Sequence, residues 1–348
     1  MLEEFYRSYA QLEQPFARTQ LVLFMMGMGA TLSVSDFTII FRKPRSLSVG
    51  LAGQLLLIPV VAFLVGKIAG LSPGVITGLV MVASLPGGNI SKMFTFLARG
   101  NVALSITMSA CATLLCIVTI PLVFKLLLPE VLESADSTRW VELEIVAELA
   151  FFLILPVVLG MLFARFWPKY QKVFSKWMIR LGFVIAGFMV LGSLGSGRIE
   201  PFSKGWMVPV TIIIFCILAQ QLPMLPFRFL KWPDKDCVSV GIESTMRNIN
   251  LALALLALLF PPGSPNAKVG SDVLFVALYY GGTAFFLGIP LVVRMRRVIR
   301  RQELEHQDSL QEVSDRLATD EKSEQDDKIT TQPEQSLNEE SRFTPKSP

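Results

Sequence analysis

Nine apolar segments, each about as long as a membrane-spanning helix, limit what this 348-residue chain can fold into. Lipid offers no hydrogen-bond partners to irregular backbone, so such a chain crosses a membrane as helices. Charged residues make up only 17% of the sequence, against roughly 25% in an average soluble protein. The sequence predicts an all-α, polytopic membrane protein with about nine transmembrane helices, over residues 18–41, 47–69, 73–98, 102–128, 143–166, 177–196, 205–227, 237–260 and 271–294.

Basic residues concentrate in every second loop. Lys and Arg in short loops stay on the cytoplasmic side of a membrane. The basic loops hold Arg42, Lys43, Arg45, Arg99, Arg165, Lys169, Lys172, Lys176, Arg180, Arg228, Lys231, Lys235, Arg294, Arg296, Arg297, Arg300 and Arg301. This bias predicts a multi-pass membrane protein with its N-terminus outside and its C-terminus in the cytoplasm. Because the sequence shows no transit peptide, we expect the membrane to be the plasma (inner) membrane.

The sequence divides into an extracytoplasmic N-terminal segment (1–17), a transmembrane domain (18–302) and a tail (303–348). The tail holds 13 of the 28 acidic residues but only 5 of the 32 basic ones, and it has no apolar periodicity. Such a composition is typical of disorder. We therefore expect an acidic, disordered cytoplasmic tail.

Composition argues against most enzyme classes. The only histidine, His306, lies in the tail, and the four cysteines lack paired C-x-x-C spacing. A His-based triad, a His metal site and a disulfide framework are therefore not expected. No nucleotide-binding loop and no nucleophile with an adjacent base is evident either. We expect no enzymatic activity, no cofactor and no nucleic-acid partner.

Two of the apolar segments contain polar interruptions at mid-membrane depth. The third segment holds Pro86-Gly87-Gly88, and proline removes a hydrogen-bond donor while glycine weakens a helix. The eighth holds a polar run from Glu243 to Asn250, although a charge at a helix centre costs about 2.5–3.5 kcal/mol on insertion scales. On an intact helix Glu243 and Arg247 would share a face and neutralise one another. A buried ion pair is thus the purely structural explanation.

The two interruptions occupy matching places in two halves of the chain. Segments five to nine form a five-helix half whose fourth member is broken, and segments one to four match it without its first helix. Broken helices at corresponding positions of two halves point to the binding site of a transporter. The sequence predicts an inverted repeat (5+5-like, first helix missing) with two broken helices that cross near the membrane midplane.

At these residues the sequence resembles the bile acid:sodium symporter family. The family signature Pro-Gly-Gly-x-x-Ser-Asn stands here as Pro86-Gly87-Gly88-Asn89-Ile90-Ser91-Lys92, and Glu-x-Gly-x-Gln-Asn stands as Glu243-Ser244-Thr245-Met246-Arg247-Asn248. The resemblance covers residues 18 to about 297. It implies a panel domain and a core domain with two crossed, unwound helices, and secondary-active transport of an organic anion by alternating access.

The resemblance also implies two sodium ions beside the crossing. The first would be bound by Ser91, Ser105, Ser109, Glu243 and the residue at 92; the second by Gln54, Glu243, the backbone of Ser244 and Met246, and the side chain at 247. Most of these ligand positions match, with Ser109 a mild change from threonine. Two do not match, because Lys92 replaces an asparagine and Arg247 replaces a glutamine. Both side chains only donate hydrogen bonds and carry positive charge, whereas sodium needs oxygen ligands.

These departures leave the driving force open. One hypothesis is that Lys92 and Arg247 take the places of the two sodium ions as tethered cations near Glu243, and that transport is proton-coupled or uncoupled. Lys92 could then load and release a proton. Sodium symport and a non-transporting membrane sensor or scaffold of the same fold are the alternatives.

The predicted site carries one Glu, one Lys and one Arg and is cationic on balance, which suits a small organic anion. Asn89, Asn248 and Asn250 are the candidate substrate-binding residues, because their amides can hydrogen-bond an anion. The same side chains are also common caps of helix ends, which is the structural alternative.

Overall fold

The computed structural model describes residues 2–32, 44–129, 139–195, 205–260 and 267–330. Within these ranges the chain is helical, and the only strand-like pairing is an isolated bridge between Gly87 and Arg247. The all-α prediction is confirmed.

The helices follow the predicted segments. Each segment coincides with a helix or a run of shorter helices, except that residues 33–41 of the first segment and residue 196 of the sixth lie outside the described residues. In chain order the elements are α1 (Leu2–Gly29), α2 (Pro44–Ala52), a π-helical turn (Gly53–Leu57), α3 (Ile58–Ile68), α4 (Pro73–Ser84), α5 (Asn89–Leu97), α6 (Val102–Leu127), α7 (Arg139–Phe166), a 3-10 turn (Pro168–Tyr170), α8 (Gln171–Gly195), α9 (Met207–Gln221), a 3-10 turn (Leu222–Met224), α10 (Leu225–Phe229), α11 (Asp234–Thr245), α12 (Ile249–Leu259) and α13 (Ala267–Thr330).

Four helical stretches of the described chain are long and apolar enough to cross a membrane: Pro44–Ile68, Val102–Leu127, Met207–Phe229 and Lys268–Val298. A fifth is added if Phe151–Phe166 and Pro168–Ile185, which are bent by 111° relative to each other, count as one span. The halves of the two broken helices, α4, α5, α11 and α12, have 12 residues or fewer, too short to cross alone. The protein is therefore a polytopic helical membrane protein, while nine spans remain a prediction.

The chain has two compact units, residues 1–295 and 296–348. Within the first, glycines bring α1 and α7 into backbone contact. A Cβ on Gly29 would collide with the backbone of Val157, and one on Gly160 with the carbonyl of Met26. Small residues allow this close packing, which holds helices together in lipid. Helix α1 also packs against α8 and α12.

Helix α6 contacts parts of both broken helices. It packs against α2, α4, α5 and α11. The broken helices α4–α5 and α11–α12 therefore share one central neighbour, and side chains of α6 can reach the places where they break.

Helices extend into both of the predicted end segments, 1–17 and 303–348. Helix α1 begins at Leu2, inside the predicted segment 1–17, and Ala17 is buried in a small cluster with Ala257. Helix α13 continues to Thr330, through much of the predicted disordered tail. The Glu, Gln, Lys and Arg residues of this stretch have high helix propensity, whereas the prediction considered only hydropathy and charge. Residues 331–348 lie outside the described residues.

Two buried aspartates hold the N-terminal ends of the broken helices. Asp236, in the first turn of α11, accepts hydrogen bonds from Asn101 Nδ2 at 2.7 Å and Ser46 Oγ at 3.3 Å. Asp272, on α13, accepts one at 3.2 Å from the hydroxyl of Ser72, the N-cap of α4. Negative charge is favourable at a helix N-terminus. The first halves of both broken helices thus have a carboxylate at their positive ends.

Replacing Asn101 should destabilise the first unit. Asn101 caps α6 by accepting from Leu104 N–H and also donates to buried Asp236. Asn101→Ala removes both bonds and should cost about 1–3 kcal/mol of stability. The measurement is the thermal unfolding midpoint in detergent. The control is Ser48→Ala, whose exposed hydroxyl bonds only the Pro44 carbonyl; equal midpoints for the two variants would contradict this role.

Candidate functional site

Both predicted interruptions are real breaks in the helices. Helix α4 ends at Ser84, Leu85 has an extended backbone with ψ of 154°, and α5 begins at Asn89. Pro86 ends the first half because its nitrogen has no hydrogen to donate.

The second break lacks proline and depends on a cap. Helix α11 ends at Thr245, and Asn248 starts α12 by accepting from the N–H of Leu251 at 3.2 Å. Asn248 therefore caps a helix, which was the structural alternative to substrate binding. Its amide nitrogen, Nδ2, takes no part in the cap.

The two breaks lie against each other and exchange backbone hydrogen bonds. The N–H of Gly88 donates to the carbonyl of Met246 at 2.9 Å, and the N–H of Asn248 donates to the carbonyl of Pro86 at 3.0 Å. A broken helix leaves unpaired N–H and C=O groups, which are costly in lipid. Each break here satisfies groups of the other.

Glu243 lies fully buried beside this crossing. Its carboxylate accepts hydrogen bonds from the hydroxyls of Ser105, at 2.9 Å, and Ser109, both on α6. The hydroxyl of Ser91 donates to the Gly88 carbonyl at 2.6 Å. A buried carboxylate requires donors of this kind, and α6 supplies two of them.

Arg247 is also buried, 5% exposed, and reaches across the crossing toward the π-helical turn. Its Nη1 donates to the carbonyl of Leu85 at 2.8 Å and its Nη2 to the carbonyl of Gln54 at 3.2 Å. With the Gln54 amide oriented to suit its neighbours, its oxygen accepts from Arg247 Nη1 at 3.2 Å and from Gly87 N–H at 3.0 Å. The guanidinium therefore lies among oxygen atoms. Turns of the π type are frequent at functional sites.

The ion pair on one helix face, proposed from the four-residue spacing, is not what the structure has. The helix that carries Glu243 ends at Thr245, so Arg247 lies beyond the break. The terminal nitrogens of Arg247 donate to carbonyl oxygens rather than to Glu243. The two charges still attract each other through the buried interior.

Lys92 brings a second positive charge to the same region. Its ammonium nitrogen is buried although the side chain is partly exposed, which is the reverse of snorkelling. The ammonium attracts the Glu243 carboxylate. Two cations and one carboxylate thus lie together in an apolar bundle.

The remaining predicted ligands are also at the crossing. Ser244 is buried, and its hydroxyl has no hydrogen-bond partner among the described residues. The carbonyl of Met246 is already used by Gly88. No group of three or more His, Cys, Asp or Glu side chains that could hold a metal occurs in the described part of the chain.

A cavity of about 650 Å³ opens beside the crossing. Arg247, Asn248 and Asn250 line it, so two of the three candidate substrate-binding residues are on its wall. Asn89 begins α5, but its side chain lies outside the described residues. The rest of the wall is mainly apolar and comes from α5, α8, α12 and α13: Gly88, Ile90, Phe183, Gly187, Leu191, Ile249, Leu253, Leu278, Gly281, Gly282 and Phe285.

Two residues of the site were missed by the sequence analysis. Tyr280, fully buried on α13, donates to the Thr245 carbonyl at the end of α11 at 2.7 Å. Gln20, fully buried on α1, donates to Asn250 Oδ1 at 3.5 Å. Both are polar side chains within apolar segments of the sequence, and polar residues inside a membrane mark functional positions. That pattern was the signal in the sequence that could have identified them.

Glycine at position 87 is required by the crossing. A Cβ there would overlap the carboxylate of Glu243, whereas a Cβ on Gly282 in the cavity would meet nothing within 4 Å. Gly87→Ala should therefore displace Glu243 and sharply lower stability. Gly282→Ala should leave it nearly unchanged.

Size-exclusion chromatography and thermal unfolding of the two variants test this prediction. Equal monodispersity and equal unfolding midpoints in Gly87→Ala and Gly282→Ala would show that the crossing tolerates a side chain.

Comparison with known proteins gives the crossing a family context. Residues 19–199 match the profile of the Sodium Bile acid symporter family, which is about half of the chain. This match includes the first broken helix, Gln54, Lys92 and the two serines of α6. Members of this family are membrane transporters and not enzymes.

Individual relatives extend the similarity beyond the profile. The chain is 27% identical over 261 residues to "Probable sodium/metabolite cotransporter BASS2, chloroplastic" of Oryza sativa subsp. japonica, covering 75% of this chain and 60% of that protein. It is 27% identical over 285 residues to "Sodium-dependent organic anion transporter" of Mus musculus, covering 81% and 73%. It is 28% identical over 241 residues to "Uncharacterized sodium-dependent transporter YocS" of Bacillus subtilis (strain 168), covering 69% and 73%.

Two findings agree. The family profile matches about half of the chain, and the two broken helices are joined to each other by backbone hydrogen bonds. The chain belongs to the Sodium Bile acid symporter family of membrane transporters.

Proposed function

We propose that this protein is a secondary transporter of an organic anion, which binds in the cavity beside the crossing of the broken helices. The observation that carries the proposal is the cavity wall, where Arg247 and the N-terminal ends of α5 and α12 meet. By alternating access, the helices around the crossing would move relative to α1, α7 and α8 and open the cavity to each side in turn.

The helix ends around the cavity favour negative charge. The first residues of α5 and α12 and their N-caps Gly88 and Asn248 line the wall or adjoin it. Helix N-termini attract anions through their free N–H groups and the helix dipole. The first halves of the same helices already have carboxylates at their N-termini, Asp236 and Asp272. The ends at the cavity have no such carboxylate on the cavity wall.

The charges at the crossing also favour a negatively charged ligand. Among the described residues at the crossing, the two cations Arg247 and Lys92 outnumber the one carboxylate, Glu243, so the region carries a net positive charge. Arg247 lines the cavity, and Asn248 Nδ2 and the amide of Asn250 add neutral polar groups to the same wall. An anion would therefore be held by charge and oriented by hydrogen bonds.

Cavity size and lining favour an anion with a substantial apolar body. A volume of about 650 Å³ lies within the roughly 300–1,000 Å³ typical of sites for drug-sized ligands. Gly187 and Gly282 keep the wall open, since a Cβ on either would meet nothing within 4 Å. The proposed substrate is therefore an amphipathic organic anion rather than an inorganic ion.

The coupling ion is the second part of the proposal. Arg247 and Lys92 would act as fixed cations in the places where the family resemblance puts sodium. The oxygen atoms of Leu85 and Gln54 that face Arg247 support this, since they already accept from its guanidinium. A positive charge 4 Å from a bound sodium ion would repel it by about 4 kcal/mol at an effective dielectric constant of 20. Transport would then be proton-coupled or uncoupled.

The names of these relatives describe sodium-dependent transporters or a sodium/metabolite cotransporter, and one carries the word chloroplastic. Sodium symport is accordingly the competing form of this proposal. For this chain we propose a plasma (inner) membrane location, and the loop charges support an orientation with the N-terminus outside and the C-terminus in the cytoplasm.

Counterflow in proteoliposomes tests the transport proposal. Vesicles containing the protein should exchange a labelled organic anion for unlabelled anion, across a panel that ranges from short carboxylates to large amphipathic sulfates and carboxylates. Gly282→Leu should reduce exchange of the large anions at least about tenfold, because its side chain would fill the cavity. Exchange of short anions should be less affected.

The control is Ser48→Ala, which is exposed and remote from the cavity. Absence of exchange with every anion of the panel would favour the non-transporting sensor or scaffold. An equal loss of exchange for large and small anions in Gly282→Leu would contradict the assignment of the cavity as the substrate site.

Thermal unfolding against sodium tests the fixed cations. The unfolding midpoint of the wild type should be the same in sodium and in potassium at equal ionic strength. The midpoint of the double variant Lys92→Asn/Arg247→Gln should rise in sodium alone. The reason is mass action, because an ion that binds only the folded state must stabilise it. A sodium-specific rise in the wild type would show that these side chains have not replaced the ion.

A further inference from the structure

The first turns of helix α8 carry a row of exposed basic side chains. Lys172, Lys176 and Arg180 are four residues apart, so they lie along one face of the helix. Lys169, in the 3-10 turn before α8, and Arg165, at the end of α7, are exposed beside them. This end of the bundle is therefore strongly positive.

The sequence around these basic residues offers no acidic side chain. Residues 149–199 contain neither Asp nor Glu. Within the described part of the chain, no ion pair involves Lys172, Lys176 or Arg180. A dense cationic row without protein counter-ions is suited to an anion from outside the chain.

A row of exposed apolar side chains runs beside the basic row. Its members are spaced three or four residues apart and are between 43% and 60% exposed: Val173, Trp177, Leu181, Val184 and Phe188. Each basic residue is directly followed in sequence by one of these apolar residues, which places the two rows side by side. The basic row stops at Arg180, whereas the apolar row continues two turns further.

The basic and apolar rows are linked and held in place. The guanidinium of Arg180 lies over the ring of Trp177, 5.7 Å from its centroid. From other faces of the helix, Gln171 Nε2 donates to the Ala30 carbonyl and Ser175 Oγ to the Gly27 carbonyl, each at 2.8 Å. The first turns of α8 are thus fastened to the end of α1, and the two rows form a fixed surface.

We propose that this face of α8 binds an anionic phospholipid. The phosphate headgroup contacts Lys172, Lys176 and Arg180, and an acyl chain lies along the apolar row from Val173 to Phe188. Free phosphate would use only the basic row, while a neutral lipid would use only the apolar one. The continuous pairing of both rows selects a ligand with both parts.

This site is separate from the proposed transport activity. It uses no residue at the crossing of the broken helices and none on the cavity wall. Its test therefore does not depend on whether the protein moves an anion.

The test is thermal unfolding of the purified full chain in detergent with added phosphatidylglycerol or with phosphatidylcholine of identical acyl chains. Phosphatidylglycerol should raise the midpoint by about 3 °C or more beyond phosphatidylcholine, because it binds the folded state. Lys172→Gln/Lys176→Gln/Arg180→Gln should lose most of that difference. Inorganic phosphate at the same concentration should not reproduce it.

A matched control removes the same charge elsewhere. Arg297→Gln/Arg300→Gln/Arg301→Gln should keep the phosphatidylglycerol effect. Equal stabilisation by both lipids, equal loss in both triple variants or an equal effect of free phosphate would overturn the site.

A second measurement does not need the triple variant to fold. Phosphatidylglycerol with brominated acyl chains should quench tryptophan fluorescence of the wild type more than brominated phosphatidylcholine does. Trp177→Phe should remove that excess; an unchanged excess in Trp177→Phe would also contradict the proposal.

Discussion

Two backbone hydrogen bonds between the broken helices are the constraint on which the rest of this structure depends. They join Gly88 to Met246 and Asn248 to Pro86. Broken helices inside a membrane have polar ends that lipid cannot satisfy. Because each break supplies partners to the other, both breaks must lie at the same place, and Glu243, Arg247 and the cavity wall are located by that pairing.

A buried carboxylate and two buried cations follow from this arrangement. Charges in an apolar interior are tolerated when hydrogen bonds and opposite charges surround them. Serines of α6 donate to Glu243, and the carbonyls of Leu85 at the first break and of Gln54 in the π-helical turn accept from Arg247. The break therefore provides one of the oxygen atoms that hold the guanidinium, so a feature that makes these helices costly in lipid also helps them to hold charge.

The N-terminal ends of the helix halves have different surroundings on the two sides of each break. The first halves, α4 and α11, begin near the aspartates Asp272 and Asp236, while the second halves, α5 and α12, begin at the cavity. This division leaves two positive helix ends for a ligand. Membership in a transporter family is thus consistent with the proposed binding of an anion in the cavity, and α8 presents a cationic surface outside the cavity.

The sequence by itself determined the apolar segments, the positions of both breaks and the family, because spans need about 20 apolar residues and because Pro86, the glycines and the polar run from Glu243 are local signals. It placed most of the site residues at the crossing, since they carry the family signatures.

Only the tertiary structure decided the hydrogen-bond partners of these residues. Arg247 lies past the end of α11 and donates to Gln54 and Leu85 rather than forming the ion pair that its spacing from Glu243 suggested, and Gln20 and Tyr280 reach the site from other helices. Hydrogen bonds between residues far apart in the chain depend on how helices pack, and local sequence patterns carry no information about that packing.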